Sequence, residues 1–378
     1  MNFTEAAAKP LLQAAGIAVP QGRIARTPEE AAAAAADIGP SVVKAQVPAG
    51  KRGKAGGIKL AGNPEQARAH AQAILGMHIA GHAVHAVLVE EQIPIARELY
   101  AAVLNDPVSK SPVVMFSPAG GMDIEEIAAT QPGALRRAPV DIRIGFTADA
   151  AAQIVRGLEL GACEQAVAQA LVKLYRAYAA SDAELLEINP LCVLDDGRVL
   201  ALDCKFTLDD SALARREQLA AGGSPEPLSE LEARAQALGL KYIALDGDIG
   251  VLANGAGLTM TTMDVIAHQG GRAANFLEIG GESYTKATPA LKLVLDNPQV
   301  KALVVNFCGA FARTDVMTAG VLDAIDELAP AVPMFFSIHG TGAAEARTML
   351  KSRLGLDAYP TMDEAIAAAI AAARTAAR

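Results

Sequence analysis

The sequence predicts a two-part molecule. An α+β part built on antiparallel strands comes first, and an α/β part with a doubly wound parallel sheet follows. Three observations carry this. Up to residue 220, short β-branched segments lie next to one another, several with no helical pattern between them. After residue 240, strands and helical patterns alternate, and most strands run into a glycine-bearing turn, the rhythm of βα units. Between the two, Ala221-Gly222-Gly223-Ser224-Pro225-Glu226-Pro227 concentrates turn residues. The predicted division is therefore 1–225, a linker over 226–240, and 241–378.

The elements can be justified in chain order. Thr27-Pro28-Glu29-Glu30 opens a helix, with a capping threonine, a proline at the first helical position and a glutamate three residues after the cap. Asn63-Pro64-Glu65-Gln66 repeats that logic, and Thr361-Met362-Asp363-Glu364 opens the last helix. Strands are expected at Ser41–Val47, Val84–Glu90, Leu99–Leu104, Val113–Ser117, Glu184–Ile188 and Val199–Cys204. The second part offers Tyr242–Leu245, Val251–Ala253, Asn275–Ile279, Ala302–Phe307 and Met334–Ile338. All but the first of these end in glycine turns: Asn254–Gly257, Gly280–Ser283, Cys308–Phe311 and His339–Gly342. Ligands of parallel sheets gather at such strand ends, where helix N-termini favour anions.

Composition narrows the function. The chain has 378 residues, 33 basic against 42 acidic, 52% of them apolar, and no tryptophan. That apolar share supports real cores and excludes a disordered or collagen-like chain. A net charge of −9 argues against a dedicated binder of nucleic acid or of an anionic membrane. No uncharged apolar run approaches the ~20 residues that span a bilayer, and the first residues lack the pattern of a signal peptide. A cytoplasmic location is expected. Cys163, Cys192, Cys204 and Cys308 have neither zinc nor disulfide spacing, so they read as reduced thiols packed like small apolar side chains.

Three clusters carry chemistry. Lys44 lies on a strand that runs into Gly50-Lys51-Arg52-Gly53-Lys54-Ala55-Gly56-Gly57, where glycines let backbone amides approach phosphate and cations neutralise it. Glu187-Ile188-Asn189-Pro190-Leu191, Asp195-Asp196-Gly197 and Ala201–Lys205 read as a hairpin pairing Leu194 with Arg198. That register sets Asn189 opposite Asp203 and Glu187 opposite Lys205, all four on one face. Two carboxylates and an amide oxygen there suit Mg²⁺ better than zinc. In the third cluster, Val87–Glu91 ends in acids at an expected strand edge, and the strand of Glu98 follows.

These motifs, together with Tyr242–Gly250 and Asn254–Leu258, occur in the same order in the β subunit of ADP-forming succinate–CoA ligase. The chain resembles that family over nearly its whole length. The resemblance implies an ATP-grasp domain of two lobes followed by a flavodoxin-like CoA-ligase domain. It implies that Lys44, Arg52, Gly53, Glu90, Ile93 and Glu98 hold ATP, and that Asn189 and Asp203 bind Mg²⁺. Glu187 would face a phosphohistidine, while Asn254, Gly309, Ala310, Phe311 and Ala312 would contact a carboxylic acid or its phosphate. The histidine and the CoA site belong, in this family, to a separate α-type subunit. The implied reaction moves a phosphoryl group from ATP to that histidine and then to the acid, giving an acyl phosphate that CoA attacks.

Some residues depart from the family. Its His-Ala-Gly-Gly-Arg-Gly loop reads Pro48-Ala49-Gly50-Lys51-Arg52-Gly53, where Lys51 replaces a glycine and adds a cation, so nucleotide binding is expected to survive. Its Gly-Gly-Ile-Val turn reads Gly309-Ala310-Phe311-Ala312, and His339 replaces an arginine-leucine-glutamate segment's polar end. These changes suggest an acid other than succinate, malate or citrate among them, with His339 as a new polar contact. A nucleotide-binding scaffold subunit without turnover is the non-enzymatic alternative, and retention of Glu187, Asn189 and Asp203 speaks against it.

Overall fold

The three capping motifs act as their spelling requires. In the computed structural model, the Thr27 side chain accepts from the Glu30 amide at 3.1 Å, Asn63 from Gln66 at 2.9 Å and Thr361 from Glu364 at 3.2 Å. The structure describes the chain apart from residues 123, 125–127, 130–131, 281–285 and 377–378. Gly281, Glu282 and Ser283 of the second glycine turn lie outside the described residues. Two compact units are present, Met1–Glu226 and Pro227–Arg378.

Among the described residues the first unit holds three antiparallel sheets, the smallest a two-stranded pair of His78–Ile79 and His82–Ala83. One has the strand order Gly22–Ala25, Val87–Glu91, Ser41–Ala45, Ile58–Ala61. Helices Pro28–Ile38 and Pro64–Ile74 bury almost nothing but alanine in its core, namely Ala31, Ala34, Ala35, Ala67 and Ala71, with Ile74. Such short side chains let helices sit close to the sheet. Val87–Glu91 therefore lies inside this sheet, not at the expected edge, because Gly22–Ala25 pairs along its other side.

The largest sheet runs Arg136–Pro139, Ser111–Ser117, Arg97–Asp106, Ala183–Val193, Lys205–Leu208, Asn2–Phe3, Gly223–Ser224. Helix Glu164–Ala180 packs on it through Leu171, Leu174 and Tyr178, in one core with Phe116, Leu186 and Phe206. The hairpin's second arm is split into Val199–Ala201 and Lys205–Leu208, but its register is the predicted one, with Leu191 opposite Ala201 and Glu187 opposite Lys205. Against Arg97–Asp106 the pairing steps between Ile188 and Leu191, where Pro190 has no amide proton to give.

The second unit contains a parallel sheet of Ile249–Ala253, Ala302–Gly309 and Met334–Gly340, in that order. Helices follow at Ala256–His268, Thr314–Leu328 and Ala343–Leu354. Leu252, Leu303, Val305 and Phe307 face one core, while Val251, Ala253 and Val304 face another with Ile366 and Ile370. The sheet is thus covered on both sides. Tyr242–Ala244 departs from the parallel expectation and pairs antiparallel with Asn275–Leu277. Within the stretch expected as linker, Ser229 and Glu232 form a reciprocal capping box that starts helix Glu230–Ala237. No helix among the described residues is long and apolar enough to cross a membrane.

Candidate active site

A cleft of about 550 Å³ opens in the first unit, and the predicted hairpin face forms its floor. Arg52, Gly53, Glu98, Glu187, Asn189 and Asp203 all line it, as do the cations Lys51 and Lys54. Six positions chosen from sequence thus converge on one cavity. Glu187 and Asn189 are half-buried, and the Tyr100 hydroxyl donates to Glu187 Oε2 at 3.2 Å. Asn189 Oδ1 accepts from the Gly121 amide at 2.8 Å, and its Nδ2 donates to Met122 O at 2.9 Å.

An ionic cluster of three cations and three carboxylates runs from the cleft, which Glu5, Arg52 and Asp203 line, into the protein beneath it. The Arg52 guanidinium donates to both oxygens of Asp203 at 2.6 Å, to Ala45 O at 3.0 Å, and pairs with Glu5 Oε2 at 2.8 Å. Lys44 Nζ reaches Glu5 at 2.9 Å, Glu90 at 2.5 Å and Leu202 O at 2.7 Å. Lys9 pairs with Glu5 at 2.6 Å and also with Glu90. Gln46 anchors this corner by accepting from the Ala6 amide at 2.9 Å. Burial opposes the charge of Glu5, but Lys44, Arg52 and Lys9 outweigh it and hold the carboxyl well below its ordinary value. Burial likewise opposes the charge of Lys44, and Glu5, Glu90 and Asp203 push its ammonium above the usual lysine range.

Lys44 is thus buried under the cleft, not on its wall, and so is Glu90, which was expected at a strand edge as a nucleotide contact. Its position inside the sheet explains the change. Ile93 is half-buried in the link after that strand and does not line the cleft. Sequence reasoning passed over Glu5, Lys9, Tyr100, Gly121 and Met122. The one available signal was the four-residue spacing of Glu5 and Lys9, which reads as an ordinary surface pair on a helix.

The remaining predicted residues sit in the second unit, at the carboxyl ends of its parallel strands. Asn254 braces the end of the neighbouring strand: its Nδ2 donates to Cys308 O at 2.9 Å and its Oδ1 accepts from the Cys308 amide at 2.8 Å. The Thr314 amide and hydroxyl both donate to Thr341 O at 2.9 Å, and the Thr341 amide donates to Gly309 O at 3.1 Å. The turn Gly309–Ala312 is therefore tied at its base, while Phe311 at its tip is fully exposed. His339 lies 3.5 Å from the Arg347 guanidinium, whose main bond is to Ile338 O at 2.7 Å. Cys163, Cys192 and Cys204 are buried as expected, but Cys308 is exposed at the strand end.

Comparison with known proteins adds family to geometry. Residues 2–193 match the ATP-grasp domain family and residues 252–372 the CoA-ligase family. The chain is 44% identical over 373 residues to the GDP-forming succinate–CoA ligase subunit beta of Thermus thermophilus, covering 98% of each. It is 44% identical to the ADP-forming subunit beta of Chloroflexus aurantiacus over 99% of each chain. The subunit beta of Anaeromyxobacter dehalogenans is 42% identical over 100% of each. Among solved structures, ATP citrate lyase from Methanothrix soehngenii superposes with a TM-score of 0.64 at 22% identity, over 98% of this chain and 99% of that one, a likeness of fold.

Proposed function

The chain belongs to the family of succinate–CoA ligase β subunits, and we propose that it is the nucleotide-bearing half of an acid–thiol ligase that forms ADP. The observation that carries the residue assignment is the convergence of Arg52, Glu98, Glu187, Asn189 and Asp203 on one cleft. The whole-length relatives carry succinate in their names, and this favours succinate over malate or citrate as the acid.

Glu187, Asn189 and Asp203 offer oxygen donors alone, a set that fits a hard cation such as Mg²⁺. Asn189 and Asp203 would hold it, and when bound the ion neutralises charge on the transferring phosphoryl group. Arg52 with Lys51 and Lys54 draws the polyphosphate into the cleft, and Glu98 accepts from the nucleoside. Phosphate competes with Asp203 for the Arg52 guanidinium, so nucleotide entry loosens that ion pair. The second chain in this reading is an α-type subunit that brings a histidine and the CoA site. Glu187 accepts from one ring nitrogen of that imidazole and fixes the tautomer whose other nitrogen attacks phosphorus. The new N–P bond forms as the bond from phosphorus to the ADP oxygen breaks. The acid carboxylate then takes the phosphoryl group at the strand ends around Asn254 and Gly309–Ala312, where helix N-termini stabilise anions. CoA thiolate finally expels phosphate from the acyl phosphate.

The test mixes the chain with Mg-ATP and an α-type partner and follows phosphohistidine on the partner. Glu187→Gln should slow its formation by about 10²–10⁴-fold while ATP still binds. Transfer at the wild-type rate would remove Glu187 from the reaction.

A further inference from the structure

Resting on Asn189 as a cation ligand, we propose that Gly120-Gly121 is a positioning segment that sets the direction in which the Asn189 amide oxygen is presented. Two hydrogen bonds of opposite sense hold that amide: the Gly121 N–H donates to Oδ1 at 2.8 Å, and Nδ2 donates to Met122 O at 2.9 Å. Turning the amide over would set NH₂ against an N–H and the carbonyl oxygen against another carbonyl. The pair of bonds therefore distinguishes oxygen from nitrogen and fixes the side-chain torsion. An amide oxygen has two lone pairs, and the Gly121 N–H engages one, leaving the other direction for a cation.

Position 120 is closed to any side chain by backbone, while position 121 is held to glycine by its left-handed φ and by the end of the Glu98 side chain. A Cβ at position 121 would stand 2.1 Å from Glu98 Oε2, and the residue has a φ of +73°. A Cβ at position 120 would stand 2.3 Å from Leu99 O. The backbone thus lies flat on the start of strand Arg97–Asp106, and any side chain would lift it away from Asn189. Gly121 also touches two assignments at once, since Glu98 and Asn189 line the same cleft. A hydrogen bond to the outer side of a ligand is the usual means by which proteins aim it, and losing one costs about 10–100-fold in metal affinity.

The experiment uses the full chain with Mn²⁺ as the probe. Protein-bound Mn²⁺ is followed by water proton relaxation at fixed, saturating ADP, and ADP binding without metal is measured separately by calorimetry. Gly121→Ala should raise the half-saturating Mn²⁺ concentration about 10–100-fold. The new Cβ also crowds Glu98, so ADP affinity without metal is measured to set the saturating ADP level, and the Mn²⁺ midpoint at that level is the readout. Asn189→Ala gives the reference. If it leaves the Mn²⁺ midpoint unchanged, the cation reading itself fails. If it weakens Mn²⁺ and Gly121→Ala does not, the positioning role alone fails. A second measurement needs no change at position 121. In metal-free protein, Asn189→Ala should speed hydrogen exchange at the Gly121 amide by about tenfold, the equivalent of one lost hydrogen bond. Unchanged exchange would overturn the proposal.

Discussion

Glu5 has no exposed side-chain surface and remains ionised because Lys9, Lys44 and Arg52 surround it. Taking one partner from a buried ionic cluster leaves the others uncompensated, so Glu5→Gln should cost about 3–5 kcal/mol of stability. The sign of its pH dependence follows from the same contacts. The folded-state pKa lies below the ordinary 4.5, so this stabilisation is complete above that value and is lost as pH falls toward the folded-state pKa. Thermal melts should therefore decline from about pH 5 to about pH 3 in the wild type and flatten in Glu5→Gln. An equally steep decline in the variant would remove Glu5 as the cause. At this scale legibility was uneven. Lys44 was readable because a charge between Val43 and Ala45 on a strand demands a partner. Glu5 and Lys9 were not, because a helical i,i+4 pair looks alike on a surface and in a core. Only tertiary packing tells them apart.

Among elements, the hairpin that carries Glu187, Asn189 and Asp203 was readable down to its register. A loop ending in Gly197 fixes which residues face each other, and period two then assigns the faces. The order of strands within the sheet that carries Glu90 was not readable. Gly22–Ala25 is short, with three of its four residues exposed, so it has none of the alternation that marks a half-buried strand. Missing it placed Glu90 at an edge that does not exist. The strand ends of the second unit carry a different kind of dependence. Asn254 commits both ends of its amide to the backbone of Cys308, so in the proposed reading it acts on the acid through the position of the next turn. Asn254→Ala should raise the KM for the acid by about tenfold, the scale of one or two neutral hydrogen bonds. Phosphohistidine formation from ATP should be unaffected, and a parallel loss of both steps would contradict this division of labour.

Over the whole molecule, what could be read was the sequence of motifs along the chain and the compositional break after residue 220. The ATP-grasp and CoA-ligase matches at 2–193 and 252–372 fall on either side of that break. The net charge of −9 conceals a local balance, with three cations and three carboxylates gathered in and beneath one cleft. No composition count reveals such a cluster, because it draws its members from one helix, two strands and two loops. Phe311 stands in the same relation to the chain's scarcity of aromatics. It is a fully exposed ring on a turn tied down at its base, in a protein without tryptophan. Phe311→Trp would thus install the only indole of the chain on a tip where nothing of its own fold covers it. Its emission should begin red, as in water, and on the proposed function move to the blue when an α-type subunit or the acid is added and covers the turn. An unmoved spectrum on assembly would mean that this tip stays in solvent throughout the cycle. A ring that contributes nothing to the core thereby becomes a place from which assembly can be timed in light.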